Sequence, residues 1–320
     1  MTAYDPAPAC GHGCLPKPGA VPQVAWPVRI ARLLAMVMVL LAGIGVALSQ
    51  PMLSLAGRAG AKRAWFRALL AASGVRLITT GEARLSTGRG TLVVANHVSW
   101  LDIPAVLAVE GMRVLAKSDV RGWPILGPMA ARGGTLFIDR RTLRRLPATV
   151  AAIADTLRAG QSVLVFPEGS TWCGRTQGRF YPATFQAAID ADAAVRPVSL
   201  RYRLADGTPT TVAAFVGTDT LIASVLRVVA TRGLVVELDA APIAVVPVAG
   251  VARAARRTMA TDTADLINSP PIPSRPNPGN PCTPRRGARR TARQAECSAR
   301  PPAAVSTRDD GTVPRSPRRR

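Results

Sequence analysis

Between Val75 and about Asp239, short runs of β-forming residues alternate with segments of helical period, and no other feature restricts the fold of this chain as much. The runs are TLVVA (91 to 95), MRVLA (112 to 116), SVLVF (162 to 166), VRPVSL (195 to 200) and LVVEL (234 to 238). Leu143 to Ala159 carries apolar residues at helical spacing and is followed by Gly160, a residue type that commonly ends a helix. The alternation predicts an α/β domain over residues 75–267, with a last amphipathic segment from about Val248 to Ile267.

The segments before this domain read differently. Residues 1–27 contain six prolines and no hydrophobic period, which predicts a flexible leader. From Ile30 to Leu48 the chain is apolar except for Arg32, and such a helix reaches about 28 Å, close to the roughly 30 Å of bilayer hydrocarbon. Ala47-Leu48-Ser49 resembles a processing site, but the leader before the run is too long for an ordinary cleaved signal. Pro51 breaks the run. Arg58, Lys62, Arg63 and Arg67 then recur through a second apolar stretch ending near Gly74, a pattern suited to an anionic surface or to a core helix with a solvated basic face. Arg29 and Arg32 before the first run and Arg58 onward after it set no orientation. The expectation is a membrane-associated helical hairpin over residues 28–73 that dips into one leaflet rather than a full span.

A formal charge of +22 would suggest nucleic acid or an anionic membrane as partner. Much of it sits in the tail: Ser269 to Arg320 holds 12 arginines and 11 prolines with almost no large apolar side chain, so residues 268–320 are expected to be disordered. Only three lysines occur, Lys17, Lys62 and Lys117, so the charge reflects arginine usage more than a phosphate-binding surface. Nucleic-acid binding would rest on the charge alone, and an arginine tail without interleaved aromatics is weak support for it. Cys10, Cys14, Cys173, Cys282 and Cys297 are odd in number and form no disulfide framework. Cys10, His12 and Cys14 could offer ligands, but structural zinc wants four and no second pair lies near in sequence, so no metal is expected.

Several chemistries are excluded by motif. There is no Gly-Lys pair and hence no P-loop, no GxGxxG after a strand, and Ser170 lies in Glu-Gly-Ser-Thr-Trp rather than in GxSxG. Two histidines in the whole chain are too few for a metal hydrolase centre. One of them, His97, directly follows the strand run TLVVA in Asn96-His97-Val98-Ser99-Trp100-Leu101-Asp102, where α/β folds place their sites. Ser99 and Asp102 read as the N-cap and capping acid of the next helix. Asp102 is then either a plain helix cap or the carboxylate that fixes the His97 tautomer while the imidazole takes a proton from a substrate hydroxyl. Val165-Phe166-Pro167-Glu168-Gly169-Ser170-Thr171 ends a second buried strand, and Phe137-Ile138-Asp139-Arg140-Arg141 a third. Cations at several strand ends, with Lys117 among them, would make a phosphate pocket.

NHVSWLD with its HxxxxD spacing, the stretch from Lys117 through Gly127 to FIDRR, the FPEGST block and Val195-Arg196-Pro197-Val198 together resemble the four ordered blocks of the 1-acylglycerol-3-phosphate acyltransferase (lysophosphatidic acid acyltransferase) family, and RGLVVEL extends the likeness to about residue 240. The resemblance implies a mixed central sheet flanked by helices, as in glycerolipid acyltransferases. It implies an inner-membrane enzyme, catalytic domain on the cytoplasmic side, that moves a fatty acyl group from acyl-CoA or acyl carrier protein to the free hydroxyl of a lysophospholipid, foremost 1-acyl-sn-glycerol-3-phosphate to give phosphatidic acid. By the same resemblance His97 is the general base and Asp102 its orienting partner, Lys117 and Arg140 contact the acceptor phosphate, and Glu168, Gly169, Ser170 and Thr171 form the acceptor-binding block. No metal or organic cofactor is implied, since the coenzyme A thiol is a good leaving group. Many family members carry an arginine soon after the EGT-like triplet, whereas Trp172 and Cys173 follow here, with Arg175 and Arg179 further on. Either Arg175 takes over phosphate recognition or the acceptor is another lyso-lipid such as lyso-ornithine lipid. A catalytically silent lipid-binding protein would keep the hairpin without needing His97 and Asp102 together.

Overall fold

The structure, a computed structural model, describes residues 9–124, 126–139, 142–243 and 252–268. Two helices come first, α1 (Trp26–Ser49) and α2 (Leu55–Ala72), followed by β1 (Val75–Gly81), β2 (Thr91–Ala95), α3 (Asp102–Val109), β3 (Arg113–Lys117), α4 (Leu126–Arg132) and β4 (Leu136–Ile138). The chain continues with α5 (Leu146–Arg158), β5 (Val163–Val165), α6 (Ala183–Asp190), β6 (Ala194–Arg203), α7 (Leu221–Ala230), β7 (Leu234–Ala240) and α8 (Ala252–Asn268). The seven strands form one sheet in the order β1-β7-β6-β2-β5-β3-β4. Every neighbouring pair is parallel except β6 with β7, so the sheet is mixed, as the family resemblance implies.

All five residues of β2 are buried because helices cover both faces of the sheet. Leu70 of α2, Ala105 to Ala108 of α3 and Val228 of α7 join Val93 and Ala95 on one face. Ile153 and Leu157 of α5, Phe185 of α6 and Met259 of α8 join Leu92 and Val94 on the other. The neighbouring strands β2 and β5 therefore send their following helices, α3 and α6, to opposite faces. This divergence opens a crevice at the carboxyl ends of the two strands, the place where open α/β sheets put their sites.

The described part of the proline-rich leader, residues 9–25, departs from a flexible tether. Cys10 is buried, Arg232 N–H donates to Pro22 O at 2.8 Å, and Val24 N–H to Ala230 O at 2.9 Å. Proline removes donors but keeps its carbonyl, so a proline-rich strand can still accept from a neighbour. Residues 1–8 of the leader and 269–320 of the tail lie outside the described residues.

Helix α1 starts earlier than the apolar run, with Pro27 in its first turn, where the missing N–H costs nothing. The stretch Trp26–Met52 is long and apolar enough to cross a membrane, its most apolar 18 residues reaching a mean hydropathy of 2.4. Within it, Arg32 donates to the carbonyls of Val229 and Thr231 at 2.8 and 2.9 Å, at the end of α7, where unpaired carbonyls and the helix dipole favour a cation. Helices α1 and α2 pack closely: Trp65 Nε1 donates to Val39 O at 2.7 Å, and a Cβ added at Gly43 would sit 2.7 Å from the Trp65 ring. The outer stripe of α1 is apolar and exposed at Leu34, Val37, Met38, Leu41 and Leu48, and Ile222 and Leu226 of α7 are exposed as well.

The cations of α2 differ from a uniform lipid-facing set. Lys62 donates to Gly133 O at 2.5 Å and Arg67 to Ala108 O at 2.8 Å, both at or just beyond the C-terminal turns of helices of the domain. Arg58 donates to Leu53 O on its own hairpin turn, and Arg63 is exposed. Unpaired carbonyls at helix ends draw nearby basic side chains inward.

Candidate active site

Strand β2 ends at Ala95, and the side-chain amide of the next residue, Asn96, pairs with the main chain of β6: Nδ2 donates to Leu200 O at 3.0 Å and Oδ1 accepts from Leu200 N–H at 2.8 Å. The amide thus extends the ladder while the backbone turns away into His97. Asp102, five residues on, opens α3 and returns its carboxylate to that turn. Its Oδ2 lies 2.8 Å from His97 Nδ1 and accepts from Val98 N–H at 2.6 Å and Ser99 N–H at 2.8 Å. The two readings of Asp102 are therefore compatible, since one oxygen serves the helix start and the imidazole together. Ser99 does not cap α3 with its side chain; its Oγ accepts from Leu101 N–H.

Asp102 is fully buried, and its other oxygen has a partner that sequence reading did not find. Tyr202, on β6, donates its phenolic hydrogen to Oδ1 at 2.5 Å. Burial, with the Asp102 charge beside it, pushes the Tyr202 hydroxyl well above its ordinary value, so it stays a donor. With Nδ1–H committed to the carboxylate, His97 presents Nε2 as its basic nitrogen. The imidazole stacks on Phe166 with centroids 4.1 Å apart and keeps 20% of its side-chain surface exposed. Such an arrangement can take a proton at Nε2 and hold the resulting imidazolium against a buried anion.

The FPEGST block sets the His97 backbone. Glu168, 1% exposed, accepts from His97 N–H at 2.5 Å and Gly178 N–H at 2.9 Å, and Trp172 N–H donates to His97 O at 2.7 Å. Burial raises the Glu168 carboxyl to about 8, against the two N–H donors that favour its charged form. Gly169 takes φ +74°, a left-handed turn that suits glycine. Thr171 donates its hydroxyl to Phe215 O, and Ser170 is half-buried. These residues hold the loop.

A cavity of about 230 Å³ opens beside His97, lined by Asn96, Glu168, Trp172, Arg175, Gln177 and Arg201 among others, with Ile267 and Asn268 of α8 on its rim. Arg175 is exposed and is part of this lining. Trp172 Nε1 and Gln177 Nε2 are buried donors with no acceptor among the described residues. Lys117 is not on the cavity wall. It ends β3, two strands from β2 and so about 10 Å across the sheet, and pairs with Asp119 at 3.0 Å. Arg140 lies outside the described residues. Arg196, in the fourth block, is buried and donates to Leu85 O and Ala241 O, a structural stitch.

The Acyltransferase family profile matches residues 76–201. A 1-acyl-sn-glycerol-3-phosphate acyltransferase of Neisseria gonorrhoeae is 40% identical over 157 residues, 48% of this chain and 60% of that protein. A lyso-ornithine lipid O-acyltransferase of Pseudomonas aeruginosa is 37% identical over 170 residues, 52% and 62% of the two chains, and one of Rhodobacter capsulatus is 32% identical over 205 residues, 60% and 72%. The chain thus spans about three fifths of the length of the first two of these relatives. The crystal structure of the 1-acyl-sn-glycerophosphate acyltransferase PlsC from Thermotoga maritima superposes with a TM-score of 0.57 at 17% identity, covering 76% of this chain and 96% of that one, a likeness of fold.

Proposed function

The chain belongs to the acyltransferase family that includes the 1-acyl-sn-glycerol-3-phosphate and lyso-ornithine lipid acyltransferases, and on that premise we propose that it transfers a fatty acyl group from a thioester donor to the free hydroxyl of a lysophospholipid, with 1-acyl-sn-glycerol-3-phosphate as acceptor and acyl-CoA or acyl carrier protein as donor. The observation that carries the reading is the His97 Nδ1 to Asp102 Oδ2 contact of 2.8 Å at a cavity wall that also holds Arg175. In this reading His97 Nε2 removes the acceptor proton as the hydroxyl oxygen attacks the thioester carbonyl. Asp102 stabilises the imidazolium, and collapse of the tetrahedral adduct expels the thiolate, which recovers the proton. Placing hydroxyl and carbonyl side by side supplies much of the acceleration.

Arg175 would meet the acceptor phosphate, and the unpaired donors Trp172 Nε1 and Gln177 Nε2 could bind the carbonyl oxygen as it gains charge. Glu168 would act as a positioning residue through the His97 peptide. The apolar outer stripe of α1, with Ile222 and Leu226 of α7, would rest in the membrane, where both acyl chains reside. The second reading, a lyso-ornithine lipid acceptor, is favoured by the relatives of that name and by the Trp172-Cys173 pair where arginine is common in the family. Purified protein with acyl-CoA, or with acyl carrier protein thioester, and either acceptor tests both: thiol release dependent on lysophosphatidic acid supports the first reading, and release dependent only on lyso-ornithine lipid the second. No acceptor-dependent release with either donor refutes both.

A further inference from the structure

The turn at residues 10–14 and the loop after the FPEGST block bring three thiols together. The sulfurs of Cys10, Cys14 and Cys173 all lie within 4.8 Å of one another, although Cys10 and Cys173 are 163 residues apart in sequence. Cys10 and Cys173 are buried and Cys14 is partly so. Sequence spacing offered only Cys10, His12 and Cys14, and the missing partner comes from the loop that forms the cavity wall.

The geometry suits a metal better than a disulfide. Zinc–sulfur bonds of about 2.3 Å place the thiolates of a tetrahedral site about 3.8 Å apart, so an adjustment of about 1 Å closes the present triangle. A disulfide would join two of the sulfurs and leave the third unused. Hydrogen-bond donors also surround the sulfurs. Cys173 N–H donates to Cys10 Sγ at 3.4 Å, backbone N–H groups of Arg175 and Thr176 point at the Cys173 sulfur, and Thr176 Oγ1 lies 3.4 Å from Cys10 Sγ and 3.7 Å from Cys173 Sγ. Donors of this kind orient ligating thiolates and hold them in place. Gly174, at φ +82°, makes the turn that directs two of these N–H groups back to the sulfur. His12 is exposed and bonded to Thr218 Oγ1 at 2.9 Å, which leaves the fourth ligand position to water.

We propose that Cys10, Cys14 and Cys173 bind one Zn²⁺ ion as thiolates, releasing their three protons to solvent. The ion would fasten the leader to the loop carrying Arg175, Thr176 and Gln177, all on the cavity wall, and so order the acceptor side of the site without entering the reaction. The inference stands on the thiol geometry and is independent of the acyltransfer reading.

The test uses the full chain with Cys282→Ser and Cys297→Ser, so that the cluster holds all remaining thiols. Protein purified under reducing conditions is equilibrated with Zn²⁺, dialysed against metal-free buffer and assayed for metal and protein. About one zinc per chain is expected, falling below about a tenth in Cys173→Ser and in Cys14→Ser. Cys14→Ser is the safer variant because Cys14 is only partly buried, and circular dichroism checks its fold. Co²⁺ in place of Zn²⁺ should give thiolate-to-metal charge-transfer absorption that both serine variants lose. Zinc near zero in the parent chain, zinc unchanged in both variants, or no thiolate band with Co²⁺ would overturn the proposal.

Discussion

Tyr202 Oη donates to Asp102 Oδ1 at 2.5 Å from a strand one hundred residues further along the chain, while Oδ2 of the same carboxylate faces His97. The carboxylate is thereby fixed at both ends inside the fold, and the imidazole inherits its orientation from β6 as well as from its own loop. Tyr202→Phe removes one hydroxyl and leaves a buried oxygen short of a donor, a loss of about 1–3 kcal/mol. The expected outcome is a lower denaturant midpoint together with a lower kcat and little change in KM for the acceptor. Unchanged stability and kcat would show that the phenol does not support the pair.

Asp102→Asn should be severe in both respects. Four donors converge on the carboxylate, and an amide offers one acceptor oxygen and turns an N–H₂ toward the remaining donors. For a simple helix cap Asn would be nearly as good as Asp. Urea unfolding should show a loss of at least about 1–3 kcal/mol, and the refolded enzyme should remain poorly active at full acceptor saturation. Wild-type stability and turnover in the variant would reduce Asp102 to a cap.

Glu168 gives a pH signature. Its folded-state value of about 8 lies above the ordinary 4.5, so the folded protein holds this proton more tightly than the unfolded chain. Its stabilising contribution is full below about pH 4.5 and declines as pH rises through about 8, by up to about 1.4 kcal/mol per unit. Glu168→Gln should flatten the fall of Tm between pH 5 and 8 relative to wild type. Parallel profiles for the two proteins would contradict the assignment.

The pattern of apolar runs was enough to locate most of the sheet, and the five-residue spacing of His97 and Asp102 was enough to suggest their contact, because both depend on local sequence. Strand β1 was not anticipated: only Val75 in it is buried, and Thr79 and Thr80 are exposed, so it lacks an apolar run. Tyr202, Asn96 and Cys173 gained their roles from partners far away in the chain, which no local pattern encodes. Lys62 and Arg67 looked like surface charges because a sequence does not show which helix ends will need a donor.

Membrane attachment should rest on the exposed apolar stripe. Cutting the chain at Val75 is a poor test, since Leu69 and Leu70 of α2 are buried and contribute on the order of 1.5–3 kcal/mol each to the fold. Leu34→Glu with Met38→Glu alters only exposed positions, 62% and 65% accessible. The pair should move protein from the membrane pellet to the supernatant, and Ile222→Glu should add to the shift. Fractionation equal to wild type in the triple variant would place the membrane contact elsewhere.

A stop after Asn268 should leave kcat close to wild type, because the described site ends there, whereas a stop before Ala252 removes Ile267 and Asn268 from the cavity rim together with the buried Met259. Turnover at low ionic strength distinguishes the two chains; equal loss in both would assign residues 269–320 a part in the chemistry.

The most direct measurement is the turnover of His97→Ala with saturating thioester donor and lysophospholipid acceptor, in protein whose thermal stability matches wild type. A positioned general base is worth at least about 10²-fold, so kcat should fall by that factor or more while the acceptor KM stays within a few-fold. Turnover within about threefold of wild type would contradict the central claim that His97, held by Asp102, removes the acceptor proton.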